Sequence, residues 1–238
     1  MKQQFVFILF FLCTVLPLKA LEPADTTLFE PNAGIDFTNR YIWRGMALNS
    51  SPNLQPYADI SYKNFTLGTW GSYATDGQFA EVDLFLAYSI NNFNLTLTDY
   101  YTENENDYGE YDLFNYKNKV TNHALEFMVD YQLPGRFPIV LTAATIFYGL
   151  DKNIEGENLY STWVQVAYPF SIKNYDLKVF LGGTPHESIY CNEANITELG
   201  IQFSKEITIT DRFSLPVAVA LITNPTEEDV FVRFNIGL

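Results

Sequence analysis

Cations are scarce in this sequence. Against 28 Asp and Glu stand 14 Lys and Arg, a formal charge of −14, and a chain without clustered positive charge has little with which to neutralise phosphates. Nucleic acid is excluded as a partner. Cysteine is scarcer, at two residues. Cys13 lies within an N-terminal apolar stretch, behind Leu12 rather than the small residue a lipoprotein needs, so Cys191 is left alone and no intramolecular disulfide is expected. The histidines, His123 and His186, are far apart in sequence. No spacing of His, Cys and carboxylates converges on a metal, and no glycine-rich phosphate cradle occurs. No metal, cofactor or catalytic residue is expected. Beyond residue 20 no run approaches the ~18 consecutive apolar residues of a membrane helix. No segment carries a 3.6-residue apolar stripe. Charge is also low, 18% of residues against 16% aromatic, and such a chain is too apolar for disorder.

The first twenty residues combine Lys2, an apolar core from Phe5 to Leu16 and a small residue, Ala20, the layout of a cleavable export signal. Residues 1–20 are expected to be a signal peptide, 21–33 a periplasmic tail, and 34–238 a single domain. Loss of Lys2 and Lys19 leaves 12 Lys and Arg and a net charge of −16.

That domain alternates with a period of two, in segments about nine to eleven residues long, as tilted membrane strands require. Val230, Val232, Phe234, Ile236 and Leu238 share one face of the last segment, and Phe231, Arg233, Asn235 and Gly237 the other. Val82, Leu84, Leu86 and Tyr88 likewise oppose Glu81, Asp83, Phe85 and Ala87, while Leu125, Phe127, Val129 and Tyr131 oppose Ala124, Glu126, Met128 and Asp130. Strands are predicted over 34–44, 54–62, 65–74, 80–90, 93–101, 123–132, 137–148, 160–170, 175–184, 196–204, 213–223 and 229–238. Their connections alternate between tight turns and longer polar loops, which is how an outer-membrane barrel is organised. An even strand number puts both chain ends on the turn side.

Aromatic positions agree. Tyr62, Phe65, Tyr88, Phe93, Tyr131, Phe137, Tyr168, Tyr175, Phe203 and Phe213 all flank tight turns on the apolar phase, where a headgroup region favours amphipathic rings. Tyr41, Trp43, Tyr73, Tyr101 and Phe147 are expected to form a sparser girdle at the other end. Lipid leaves strand edges unsatisfied, so the sheet must close. The fold class is all-β: a closed antiparallel transmembrane β-barrel of about 12 strands. Four residues resist this reading. Asn39 and Asp99 fall on the lipid phase, and Pro56 and Pro216 fall inside strands.

The segment Phe37-Thr38-Asn39-Arg40-Tyr41-Ile42-Trp43-Arg44-Gly45 is followed by Ser51-Pro52-Asn53-Leu54-Gln55-Pro56-Tyr57, then Leu67-Gly68-Thr69-Trp70-Gly71-Ser72 and Glu81-Val82-Asp83-Leu84. This order resembles the TorF family of porins, also called the Gcw_chp family of exported bacterial proteins, over residues 36–90. The resemblance implies an outer-membrane barrel with a channel role and supplies no substrate. Leu238 stands where barrel sequences commonly end on an aromatic; it keeps the apolar phase, so the C-terminal strand is still expected to engage the barrel-assembly machinery.

Channel chemistry falls on the inward phase. Asp36, Asp59, Glu81, Asp83, Glu126, Asp130, Asp176 and Glu198 outnumber Arg40, Arg44, Lys178 and Arg233 there, and a lumen lined with one sign concentrates the opposite ion. The expected selectivity set is Glu81, Asp83, Glu126, Asp130, Glu198, Arg40, Arg44, Lys178 and Arg233, with the first four as a central ring. The expected partners are outer-membrane lipid and small hydrophilic solutes, cationic or neutral, passing by diffusion. Inward charges suit equally an ion-pair network that plugs the barrel, leaving a structural or surface-interaction role. The loop 102–122, with Glu103, Glu105, Asp107, Glu110 and Asp112, either folds inward as a constriction, holds calcium or simply faces water. The one enzymatic option is a lipid-processing site using His123 on the lipid face, for which Thr145 is a poor nucleophile.

Overall fold

The computed structural model describes residues 29–103, 112–211 and 213–238. The expected signal peptide, most of the expected tail and the acidic stretch 104–111 lie outside the described residues, and with them most of the proposed calcium ligands.

The strands are β1 (Glu30–Thr38), β2 (Tyr41–Trp43), β3 (Met46–Asn49), β4 (Asn53–Tyr62), β5 (Phe65–Ala74), β6 (Ala80–Ile90), β7 (Phe93–Glu103), β8 (His123–Gln132), β9 (Val140–Gly149), β10 (Thr162–Ile172), β11 (Tyr175–Thr184), β12 (Asn195–Thr210), β13 (Phe213–Asn224) and β14 (Asp229–Gly237). Twelve of them close into one antiparallel barrel in the order β1-β14-β13-β12-β11-β10-β9-β8-β7-β6-β5-β4, while β2 and β3 form a separate two-stranded sheet. The barrel closes over a short seam. Asp36 to Thr38 pair with Asn235 to Gly237, and Ile35 and Leu238 exchange both main-chain hydrogen bonds.

The alternation read on β6, β8 and β14 is the one observed. Leu84, Leu86, Phe127 and Val232 are exposed on the outer wall, whereas Glu81, Asp83, Glu126 and Phe231 are buried inside. Aromatic rings pair across strands beside the tight turns, as with Phe65–Tyr88 at 4.6 Å and Phe93–Tyr131 at 4.4 Å between centroids. An apolar exterior on a closed sheet inverts the soluble pattern, and hydrocarbon is the medium it suits.

The first strand departs from expectation. Residues 34–44 were expected to run straight through the wall, yet β1 starts at Glu30 and ends at Thr38. Asn39 makes the break. Its amide donates to the Phe234 carbonyl, its Oδ1 accepts from the Phe234 amide, and its Nδ2 donates to the Val232 carbonyl. A polar side chain on the lipid phase thus substitutes for missing strand partners on β14 while the backbone turns inward. The other misfits are explained too. Asp99 pairs with His123 at 2.8 Å. Pro56 sits where the β4–β5 ladder is interrupted between Leu54 and Tyr57, so its absent N–H breaks no pairing. Pro216 lies just beyond the last β13–β14 pair, Val217 with Ile236. Strand β12 runs on past 204 to Thr210 because Ile207 and Ile209 continue its exposed face, with a bulge between Thr208 and Thr210.

Candidate functional site

What residues 39–52 do inside the barrel defines the site. Trp43 and Met46 pair across a two-residue turn, Arg44-Gly45, in which both φ angles are positive, 52° and 81°. A tight hairpin twists that way, and glycine takes the conformation freely whereas arginine does not. At Gly45 space is also limiting: a Cβ would lie 1.9 Å from the Thr197 carbonyl oxygen. We expect Gly45→Ala to destabilise the protein by more than about 1 kcal/mol, seen as a lowered thermal unfolding midpoint.

The hairpin touches the wall almost all the way round. Tyr41 meets Trp70 on β5 at a tilt and donates to Glu81 on β6 at 2.7 Å. Trp43 meets Tyr100 on β7 edge-on. Arg44 grips Glu126 on β8 with two hydrogen bonds, 2.5 and 2.8 Å, and lies over Trp163 on β10. Ile42 packs with Phe180 on β11, Ala220 and Ile222 on β13, and Phe231 on β14. Thr197 on β12 donates to the Arg44 carbonyl, and Asn224 on β13 to that of Gly45. From the loop after β11, Tyr190 reaches in to accept a hydrogen bond from Arg44 and to meet the Trp43 and Trp163 rings at a tilt. A tip with partners in nearly every sector of the wall spans the lumen's cross-section.

The selectivity residues inferred from phase fall into two groups and two separate positions around this plug. Glu81, Asp83, Glu126 and Arg44 gather at the hairpin. Glu126 is 1% exposed and neutralised by Arg44; Glu81 accepts from Tyr41 and Thr102. Asp83 is 6% exposed, and its Oδ1 is sealed without a hydrogen-bond partner. Glu198, Lys178 and Arg233 form a second group on β11, β12 and β14: Gln165 donates to Glu198, Lys178 lies over the Phe180 ring, and Arg233 donates to Gln202. Asp130 is apart, nearer the turn end and bonded to Thr142, and Arg40 sits over Phe231. Two residues assigned to the outer girdle, Tyr41 and Trp43, are in the lumen instead, because the chain carrying them has left the wall. Tyr73 and Phe147 remain exposed, and Tyr101 is buried with its ring tilted against His123.

Space remains on both sides of the plug. Toward the turn end an open polar cavity of about 340 Å³ is lined by Asp36, Asp176, Gln202, Lys205, Arg233 and Asn235 among others. Toward the loop end lies a smaller pocket of about 210 Å³ between the hairpin and β6–β9.

The described part of the long loop, 112–122, packs on the outside of the wall and not into the lumen. Tyr116 stacks on His123 at 4.0 Å and donates to Asp99, and this bond to a carboxylate pushes its hydroxyl up to about 12. His123 is 1% exposed, so lipid does not reach it. Its ring nitrogens contact Asp99 and the Leu113 carbonyl, while Thr145 is bonded to Thr162. At the hairpin's root, hydrogen bonds from Ser51 and the Gln78 amide hold the Asp76 carboxyl below its ordinary range.

The sequence matches no protein-family model and no curated protein, so the resemblance of residues 36–90 to TorF proteins rests on its motif residues alone. Among solved structures, the chain is similar to the KdgM porin, with a TM-score of 0.47 and 9% identity over 86% of this chain and 96% of that one. It is also similar to the COG4313 outer membrane channel from Pseudomonas putida F1, with a TM-score of 0.42 and 14% identity over 91% and 98% of the two chains. Neither likeness supplies a solute or a site.

Proposed function

We propose that this protein is an outer-membrane channel for small cationic or neutral solutes, held closed in the state seen here by the β2–β3 hairpin. One observation carries the reading: the element that fills the lumen belongs to no ladder of the wall. It can therefore move without opening the barrel, and the cavities on either side of it are the two halves of the path it interrupts. The apolar exterior supports the membrane location, and the C-terminal strand at the seam is the segment offered to the barrel-assembly machinery. A lipid-processing reading finds less support, since among the described residues the His123 ring nitrogens bond to Asp99 and the Leu113 carbonyl and to no hydroxyl or thiol nucleophile.

Selectivity would come from carboxylates. With the hairpin displaced, Arg44 leaves with it, and Glu81, Asp83, Glu126 and Asp130 face Lys178 and Arg233. Fixed charges of one sign concentrate the opposite ion. In planar bilayers, protein lacking the hairpin should show reversal potentials favouring cations. Neutralising Glu81 and Asp83 together (Glu81→Gln, Asp83→Asn) should shift them toward anions. Unchanged reversal potentials would refute the assignment of these residues to the conduction path.

A further inference from the structure

The pocket at the loop end has a composition that conduction alone does not require. Two ring pairs meet edge-on at it: Tyr41 with Phe79, centroids 5.8 Å apart, and Trp43 with Tyr100 at 5.9 Å. Leu48, Ile146, Leu150 and Ile189 add apolar wall, and the Glu81 carboxylate forms part of the lining. Asp151 also borders the space, but both its oxygens are taken by Ser161. Glu81, likewise bonded once at each oxygen, takes its hydrogen bonds from the hydroxyls of Tyr41 and Thr102, which themselves border the space. Asp83, next on the same face of β6, lies within electrostatic reach of the Tyr41 and Tyr100 hydroxyls. Among the described residues the ion pairs are Arg44 with Glu126 and His123 with Asp99, so neither Glu81 nor Asp83 has a cation against it.

Aromatic faces attract cations, and a buried carboxylate favours a paired positive charge. A bare metal ion would find few free oxygens here, and an anion would meet the Glu81 carboxylate. We infer that this pocket binds a small organic cation, an alkylammonium whose charge faces Glu81 and whose carbon sits among Tyr41, Trp43, Phe79 and Tyr100. At about 210 Å³ it is below the ~300 Å³ typical of sites for drug-sized ligands, which limits the guest to a compact one. The site goes beyond the channel reading and exists whether or not the hairpin ever moves.

Calorimetric titration of the full-length protein, folded in detergent, tests this. The probe is tetramethylammonium chloride, with tert-butanol as a neutral counterpart of similar shape and potassium chloride as competitor. Saturable one-to-one binding of tetramethylammonium is expected, with none for tert-butanol and no displacement by equal potassium. Glu81→Gln should weaken binding at least tenfold and Phe79→Ala at least threefold, in protein whose gel mobility still shows a folded barrel. If Glu81→Gln does not fold, the loop residue Phe79 decides the matter. No saturable binding, equal binding of tert-butanol, competition by potassium on equal terms, or unaltered affinity in a folded variant would each overturn the site. Bilayer conductance is a separate readout, so failure of the channel and failure of the pocket are told apart.

Discussion

Replacing residues 41–49 with a short Gly-Ser linker is expected to turn this barrel into a steady conductor, with single-channel conductance at least tenfold above the intact protein. The change removes Ile42 from its packing with Phe180, Ile222 and Phe231, and Arg44 from Glu126. It touches none of the wall's ladders, since β4 keeps its pairing with β1 from Asn53 opposite Thr38 down to Ser61 opposite Glu30. Most of the barrel's cohesion lies in those hydrogen bonds, which have no alternative partner in lipid. The deleted protein should therefore keep the gel mobility of a folded barrel while its lumen fills with water. Conductance equal to that of the intact protein would place the obstruction elsewhere, in the loops or in the wall side chains themselves.

The second large effect is expected at Arg44. Its guanidinium binds Glu126 through two nitrogens and lies over Trp43 and Trp163, in a backbone conformation that costs arginine about 1–2 kcal/mol. Arg44→Met would leave Glu126 buried without a counter-charge, and breaking one side of a buried pair typically costs about 3–5 kcal/mol. The expected result is a sharp loss of resistance to denaturant together with flickering conductance, as the hairpin gives way before the wall does. Adding Glu126→Gln removes the stranded charge and should recover much of the loss. Contacting groups such as these couple by about 0.5–3 kcal/mol in a double-mutant cycle. Strict additivity would mean that the pair does not hold the hairpin.

Much of the architecture is legible in the sequence because the bilayer leaves a strand few options. The alternation on β6, β8 and β14 sets inside from outside, and turn and loop lengths set the strand direction. The same phase puts Glu81, Asp83, Glu126, Glu198, Lys178 and Arg233 inward. It fails at residues 39–44 for a physical reason: a strand that turns into the lumen keeps its period of two, so Tyr41 and Trp43 read as a girdle either way. The signals of the turn were Asn39 out of phase, an Arg-Gly pair able to form a tight hairpin, and β9 and β13 apolar on both faces. Apolar residues facing inward, such as Ala144, Ile146, Ala220 and Ile222, have no place against water and imply a filled lumen. Tyr190 was not foreseeable, since nothing local distinguishes a loop tyrosine that enters a barrel from one that does not. Asp99 needed the register: Tyr101 opposite His123 and Asp99 opposite Leu125 on the outer face bring together two polar groups that sequence distance separates.

The position of Trp43 tests the account most directly. In protein reconstituted in lipid nanodiscs with deuterated acyl chains or protonated ones, nuclear Overhauser spectra report what surrounds its indole ring. Cross-peaks to the rings of Tyr100 and Tyr190, whose centroids lie 5.9 and 5.5 Å away, are predicted, with no transfer from lipid acyl protons. Strong transfer from the acyl chains, without those ring contacts, would put residues 39–44 back in the wall and contradict the plugged lumen.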